Sequence, residues 1–269
     1  MTTHGLVLRI VPVGSYAGRA RAVVERSALV NRRNWLLVVS GVVEPLFYLF
    51  ALGIGFGGII GNLTAPDGHP ISYAAYVAPG LLAASAMNGA VHDSTFNVFM
   101  KLKYARVYDA MLATPLGPMD VALGEISWSL LRGGIYAAGF LAVMGALGLI
   151  TSPWALLALP AALLVAFGFA SVGMAAATLL RSWQDFDLIL LVVMPMFLFS
   201  TTFFPITVYP AAIRVAVECL PLYHGIELMR QLTSGAVGWS ALGHVAYFAA
   251  MVAVGGWFAT RRLGKLLLT

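Results

Sequence analysis

The chain has 269 residues, 60% of them hydrophobic and 10% charged, with a formal net charge of +5 and a mean hydropathy of +0.88. A soluble domain of this length must keep its exterior wet, so this much apolar side chain excludes a water-soluble enzyme or binding module. The basic balance does not point to nucleic acid either, because the charges gather at the ends of apolar runs, as in a polytopic membrane protein.

From the N-terminus, Leu6–Val13 is too short an apolar run for a secretory leader, and Arg9 and Pro12 interrupt it. The first long apolar run is therefore expected to stay as a membrane anchor. Over residues 16–34, at 100° per residue, Arg19, Arg21, Glu25, Arg26, Arg32 and Arg33 share one half of a helix. Ala17, Ala20, Val23, Val24, Ala28 and Val30 occupy the other half, with Leu29 as the exception. The pattern predicts an amphipathic helix in the inner interface that enters the first span through Trp35; the plainer reading is a basic orientation tail.

A span needs roughly 20 apolar residues to cross about 30 Å of hydrocarbon. Five runs meet that length and a sixth nearly does, giving spans at 36–60, 73–100, 122–149, 153–180, 186–204 and 239–260. The expected fold is an all-α integral membrane protein with six transmembrane helices in one domain over residues 1–269. Arg9, Arg19, Arg21, Arg26, Arg32 and Arg33 precede the first span, and Lys101, Lys103 and Arg106 follow the second. Arg181 follows the fourth, and Arg261, Arg262 and Lys265 follow the sixth. These make thirteen of the sixteen Lys and Arg on one side, which places both termini in the cytoplasm of a bacterial-type plasma membrane.

Two connecting segments stand out. Residues 101–120 are polar and longer than an ordinary short loop; Lys101–Ala113 can form a helix that Pro115 and Pro118 stop. With Met111 and Leu112 exposed, that helix would be a docking surface; a solvated connector is the bland alternative. Residues 205–238 are too long for a turn and too apolar for a wet loop, and Pro205, Pro210 and Pro221 divide them. Two short re-entrant or interfacial helices, near 208–219 and 222–233, are expected to cap the outer end, with Tyr209 and Tyr223 at headgroup depth.

Chemistry is sparse. Gly53, Gly55 and Gly58 satisfy a GxGxxG pattern, but inside an apolar span with no βα unit, so they read as helix-packing positions. No GxxxxGK[ST] occurs, the five histidines have no ligand spacing, and Cys219 stands alone, so no cofactor or metal is expected in this chain. Intramembrane charge is the better lead. Glu44 precedes Pro45 within the first span, His92 and Asp93 lie near the inner end of the second, and Glu125 and Arg132 share one face of the third. Pairing of Glu125 or Glu44 with Arg132 would offset desolvation, whereas Arg132 can also snorkel to the headgroups. Structural charge pairing and a role along a substrate path both remain open for these residues. A lipid-modifying membrane enzyme would need several such groups at one depth, and an ion-driven transporter would be favoured by an internal repeat; neither is visible.

Local motifs add a resemblance. Glu44–Tyr48 with Leu52 and Gly53, Pro79–Leu81 through Ser85–Asn88, Tyr108–Leu116, Gly124–Ile126 with Trp128, Phe203–Pro205, Leu220–His224, and Glu227 with Leu228 together resemble the permease subunits of type-2 ABC exporters. The similarity is to the nodulation-factor (lipo-oligosaccharide) and drug-exporting branch, and it covers nearly the whole chain. It implies export of a lipid-like, glycolipid or drug substrate, driven by MgATP on two separate cytoplasmic ATPase subunits, with a second permease subunit completing a dimer in the lipid membrane. It also implies a coupling helix over Tyr104–Leu116, with Tyr104, Arg106, Tyr108, Asp109, Met111, Leu112, Thr114 and Pro115 towards the ATPase, assisted by Arg19, Arg26 and Arg33. Glu44, Asn88, Asp93, Glu125 and Arg132 then belong to the substrate path or its charge pairing, and Phe203, Phe204, Tyr223, His224 and Glu227 to an outer gate.

Overall fold

A computed structural model describes residues 13–31, 35–64 and 70–268. Helix α1 (Val13–Asn31) is followed by α2 (Trp35–Gly55), the single turn α3 (Gly57–Ile60), and a small antiparallel hairpin of β1 (Asn62–Thr64) and β2 (Pro70–Ser72). Its register pairs Leu63 with Ile71. The Ser72 hydroxyl then accepts from the Ala75 N–H at 3.2 Å, starting α4 (Tyr73–His92). Short α5 (Val107–Leu112) leads to long α6 (Pro118–Ala146), which opens on a proline with Asp120 accepting from the Gly117 N–H at 2.9 Å. Helices α7 (Ala158–Ala177), α8 (Phe186–Phe199), α9 (Ala211–Glu218), α10 (Pro221–Ser234) and α11 (Trp239–Leu268) complete the chain. Two helices thus occupy the segment where the three prolines predict two short ones, and Gly235, at φ +86°, ends the second.

Among the described residues five helices are long and apolar enough to cross a membrane: Ser40–Ile60, Tyr73–Tyr104, Met119–Ala146, Pro153–Ala177 and Trp239–Leu266. The expected span at 186–204 differs. Helix α8 has 14 residues, which at 1.5 Å each is about 21 Å, short of the hydrocarbon thickness. Pro195 interrupts its bonding ladder, and the chain leaves the helix at Ser200 and Thr201, where Thr201 takes a positive φ of 64°.

Helix α4 is the axis of the bundle. Val77, Ala78, Leu81, Leu82, Ala83 and Met87 are buried on all sides against α6, α7 and α10, with Phe140, Phe169, Ile226 and Phe248 closing the core. Helices α7 and α11 approach closely, so that a Cβ at Gly255 would meet the Ser171 carbonyl carbon at 2.9 Å. Small residues at such crossings let helices meet without a hydrophobic driving force from water. By contrast, α2 and α8 lie at the edge, joined through Tyr48 and Phe197 at 6.2 Å, and expose Phe47, Phe50, Leu188, Leu191 and Val192.

A second, smaller core forms at the end of the bundle where Lys101, Arg106 and Arg261 gather. Val23 of α1, Val98 of the α4 extension, Tyr108 and Met111 of α5, Val121 and Ile126 of α6, Met174 of α7 and Leu263 of α11 all contribute. Six parts of the chain therefore meet at this basic end.

Candidate functional site

The basic end is built from the α4 extension upwards. Beyond His92 the helix does not stop but widens into two π-helical turns, Asp93–Asn97 and Met100–Tyr104. The Ala105 N–H closes the second by bonding to the Met100 carbonyl at 2.9 Å. Arg106, exposed and at φ 45°, then breaks the direction of the chain into α5. A non-glycine residue at positive φ is uncommon, and such strain concentrates at functional positions. The helix expected over Lys101–Ala113 is thus two elements: Lys101–Tyr104 belong to the extended α4, and only Val107–Leu112 form the helix after it.

Helix α5 has two unlike faces. Tyr108 is 1% exposed and Met111 is 7% exposed, so both are core residues and neither faces outward as expected of it. Helical spacing of three places both against α6, where Val121 and Ala122 offer an apolar floor. Asp109, Ala110, Ala113 and Pro115 face outward, as do Arg106 and Tyr104 beside them. Leu112 is the last residue of α5. The Thr114 hydroxyl is turned back to the Met111 carbonyl at 2.5 Å. Burial, and then the neighbouring Glu125 carboxylate, push the Tyr108 phenol well above its ordinary pKa, so it stays protonated.

Behind α5 lie two buried ion pairs between the α4 extension and α6. Lys101 Nζ donates to both Glu125 oxygens at 2.8 and 2.7 Å. Arg132 pairs with Asp93, which also accepts from Asn97 Nδ2 at 2.7 Å and has His92 Nδ1 3.9 Å away. The structure therefore corrects both expected pairings: Arg132 pairs with neither Glu125 nor Glu44, and it does not snorkel. Glu125 and Arg132 do share a face, but each takes its partner from α4 and not from the other.

Helix α1 rests on this assembly. Ala20, Val23 and Ser27 form its buried stripe, while Leu29 and Val30 are exposed, Leu29 at 70%. Val23 fits over Gly124 of α6, where an added Cβ would come within 2.5 Å of the Val23 Cβ. Arg19 donates to the Pro115 carbonyl at 3.0 Å, tying α1 to the loop after α5. Arg21 pairs with Glu25 at 2.7 Å on the exposed side. Arg26 lies close enough to the Tyr108 phenol to offset part of its upward shift. Arg33 lies outside the described residues. Replacing Gly124 by Val should displace α1 and speed tryptic cleavage at Arg19, Arg21 and Arg26 about tenfold, a loss of ~1.4 kcal/mol of local protection. Unchanged cleavage kinetics would show that α1 is not seated there.

Other predicted residues are dispersed. Glu44 is exposed on α2 in a shallow groove lined by Ser40, Val43, Phe47, Tyr48 and Ala51, and has no hydrogen bond or ion pair among the described residues. Asn88 is exposed on α4, one turn from His92. At the opposite end of the bundle a polar cluster gathers residues that the sequence reading named without their connections. Glu227 pairs with Arg230, which donates to the Thr201 carbonyl at 3.0 Å and lies 4.2 Å over the Tyr76 ring. His224 Nδ1 and His244 Nδ1 are 2.8 Å apart, with Tyr247 4.1 Å from the His224 ring and Tyr223 5.6 Å from it. Tyr73 donates to the Phe203 carbonyl at 3.2 Å, and Phe204 is exposed. Among the described residues no group of three or more His, Cys, Asp or Glu is arranged to hold a metal. Lys101, Arg230 and His244 were missed from sequence, since only their partners across the fold give them a role.

A helix bundle with a small, two-faced helix seated at its basic end calls for comparison with known transporters. The family model described as ABC-2 type transporter matches residues 19–233. The chain belongs to the ABC-2 type transporter family. The match runs from the second turn of α1 to the end of α10, so it takes in both cores except for their α11 residues. Relatives of this ABC-2 chain include Nodulation protein J of Rhizobium leguminosarum bv. trifolii, 32% identical over 89% of this chain and 93% of that protein. Nodulation protein J of Rhizobium leguminosarum bv. viciae is 33% identical over 77% and 81%. That of Rhizobium meliloti is 32% identical over 80% and 82%.

Proposed function

We propose that this chain is the permease subunit of an ATP-driven exporter in a bacterial plasma membrane, moving a lipid-like, glycolipid or drug substrate out of the cytoplasm or inner leaflet. MgATP is bound and hydrolysed by two separate cytoplasmic subunits, and a second permease, identical or a sister protein, completes the path. The basic end is cytoplasmic, in keeping with its Lys and Arg, so both termini are inside. Helix α8 serves as a short sixth span, with α9 and α10 as the re-entrant cap beyond it.

The observation that carries this reading is the build of α5. Its inner face is locked into a core shared by α1, α4, α6, α7 and α11, while its outer face presents Arg106, Asp109, Ala110, Ala113 and Pro115 to solvent. A load placed on that outer face by an ATPase would reach all of these helices at once. Arg19, bonded to the Pro115 carbonyl, adds α1 to the same contact.

Substrate handling falls to the exposed faces of α2 and α4. A carboxylate on the outward side of a span is costly in hydrocarbon and marks a pathway by default, so Glu44 and Asn88 line the path with Phe47 and Tyr48 as its apolar wall. Phe203, Phe204, Tyr223, His224 and Glu227 form the outer gate. Substituting Glu44 by Gln is expected to lower export about tenfold, ~1.4 kcal/mol of barrier, without loss of assembly. Wild-type export rates in that variant would remove Glu44 from the path.

The experiment for the whole reading is co-expression with the cognate ATPase, followed by reconstitution. ATP-dependent, vanadate-sensitive movement of a fluorescent short-chain glycolipid or of rhodamine 6G across proteoliposomes is expected. Movement driven by an ion gradient alone, or chemical conversion of the lipid without ATP, would refute it.

A further inference from the structure

The two buried ion pairs are spaced differently on their two helices. On α6, Glu125 and Arg132 are seven residues apart, which at 3.6 residues per turn is within about 20° of two full turns. On the α4 extension, Asp93 and Lys101 are eight residues apart, which on a straight α-helix would turn them about 80° away from one another. Both nevertheless meet their partners on α6. The π-helical turn Asp93–Asn97 between them resolves the mismatch, because a wider turn takes up one more residue for the same rotation and so brings eight residues into step with seven. The pairs also have opposite polarity. Asp93 on α4 faces Arg132 on α6, whereas Lys101 on α4 faces Glu125 on α6. A slip that brought one rung towards the other's position would oppose like charges, so the two rungs define a single register for the widened segment.

The lower rung lies directly behind α5. Lys101 is five residues before Arg106, where the chain turns at positive φ, and Glu125 is eight residues into α6, whose start follows α5. Tyr108, the buried anchor of α5, packs beside Val121, Ala122 and Ile126 of α6, near enough to Glu125 to feel its charge, while its hydroxyl has no hydrogen-bond partner among the described residues. One carboxylate thus bonds the α4 leg to the α6 leg of the α4–α5–α6 excursion, beside the ring that anchors the helix at its tip. Stability alone does not account for the pair, since well-packed apolar residues of similar volume can replace a buried ion pair with little loss or with a gain.

We infer that Glu125, through Lys101 and Tyr108, is a positioning residue for energy coupling: it clamps the α4 extension, α5 and α6 into one rigid unit, so that displacement of α5 moves α4 and α6 together. This inference rests on the exporter reading above and deepens it. Without the clamp, a push on α5 splays its two legs and the widened turns absorb the stroke. ATP would still be hydrolysed, but the work would not reach the spans.

The test compares the wild type with Lys101→Met/Glu125→Leu, which removes both charges and leaves neither buried alone, and with the reversed pair Lys101→Glu/Glu125→Lys. In the permease alone, amide hydrogen exchange over residues 98–112 should rise about tenfold in the apolar variant, while the thermal midpoint stays within about 3 °C. In the complex with the cognate ATPase, ATP hydrolysis should stay within about twofold and rhodamine 6G moved per ATP should fall about tenfold. The reversed pair should recover most of both. Unchanged exchange over 98–112, or wild-type transport per ATP in the apolar variant, would overturn the clamp. Parallel loss of stability, hydrolysis and transport would also overturn it, by showing a merely structural pair. A wild-type complex that moves no probe with ATP strikes the exporter reading instead, and the exchange measurement on the permease alone still decides the clamp.

Discussion

Replacing Asp93 by Ala is expected to destabilise the chain by about 3–5 kcal/mol, because it leaves the Arg132 guanidinium buried without its counter-ion. The Arg132 side chain is 13% exposed, its Nε already lacks a hydrogen-bond partner among the described residues, and it has no neutral form to adopt. The reverse substitution, Arg132→Met, should be milder by at least ~1 kcal/mol. Asp93 keeps Asn97 as a donor at 2.7 Å and can also take up a proton when its cation is gone. Unfolding of the two variants in mixed micelles, followed by circular dichroism, measures the order directly. A milder Asp93→Ala would mean that the pair is not what holds the widened end of α4.

The second large effect lies on the opposite face of α5. Ala110 and Asp109 point away from the core, so Ala110→Trp combined with Asp109→Lys alters the outward surface without touching Tyr108 or Met111. Surface substitutions of this kind move stability by no more than about 0.5 kcal/mol. If an ATPase sits on this face, however, a bulky side chain and a reversed charge at the centre of the contact should weaken assembly by about 2 kcal/mol or more, roughly 30-fold. Tyr108→Ala should behave in the opposite way, opening a cavity under α5 and destabilising the chain by about 3–5 kcal/mol. Copurification of the ATPase with each variant, read beside its thermal midpoint, separates the two faces. Equal effects on both readouts would leave α5 without a distinct docking side.

The parts of the fold that follow from hydrophobic runs were readable from residues alone. The apolar lengths locate the five helices able to cross a membrane, the split of basic and apolar residues around Val23 gives α1, and Pro205, Pro210 and Pro221 mark off α9 and α10. The short α8 was half readable. Its apolar run continues to Phe204, but Pro195 and the left-handed turn at Thr201 end the helix earlier than composition implies. The charged site was the least accessible. Seven-residue spacing correctly places Glu125 and Arg132 on one face, and it then suggests pairing them with each other. Their true partners sit on another helix, in a register created by π-helical turns, and a 3.6-residue period cannot express an added residue. Met111 misled for a similar reason: in a polar segment it reads as exposed, whereas its place three residues after Tyr108 turns it into the core.

The account depends most on the outward face of α5 being where an ATPase docks. A photoreactive amino acid placed at Asp109, with a second chain carrying it at Val237 near the opposite end, tests that in intact cells. Ultraviolet capture of the cognate ATPase from position 109 and none from position 237 is the predicted result. Capture from position 237, or none from position 109 in an assembled and stable complex, would contradict it.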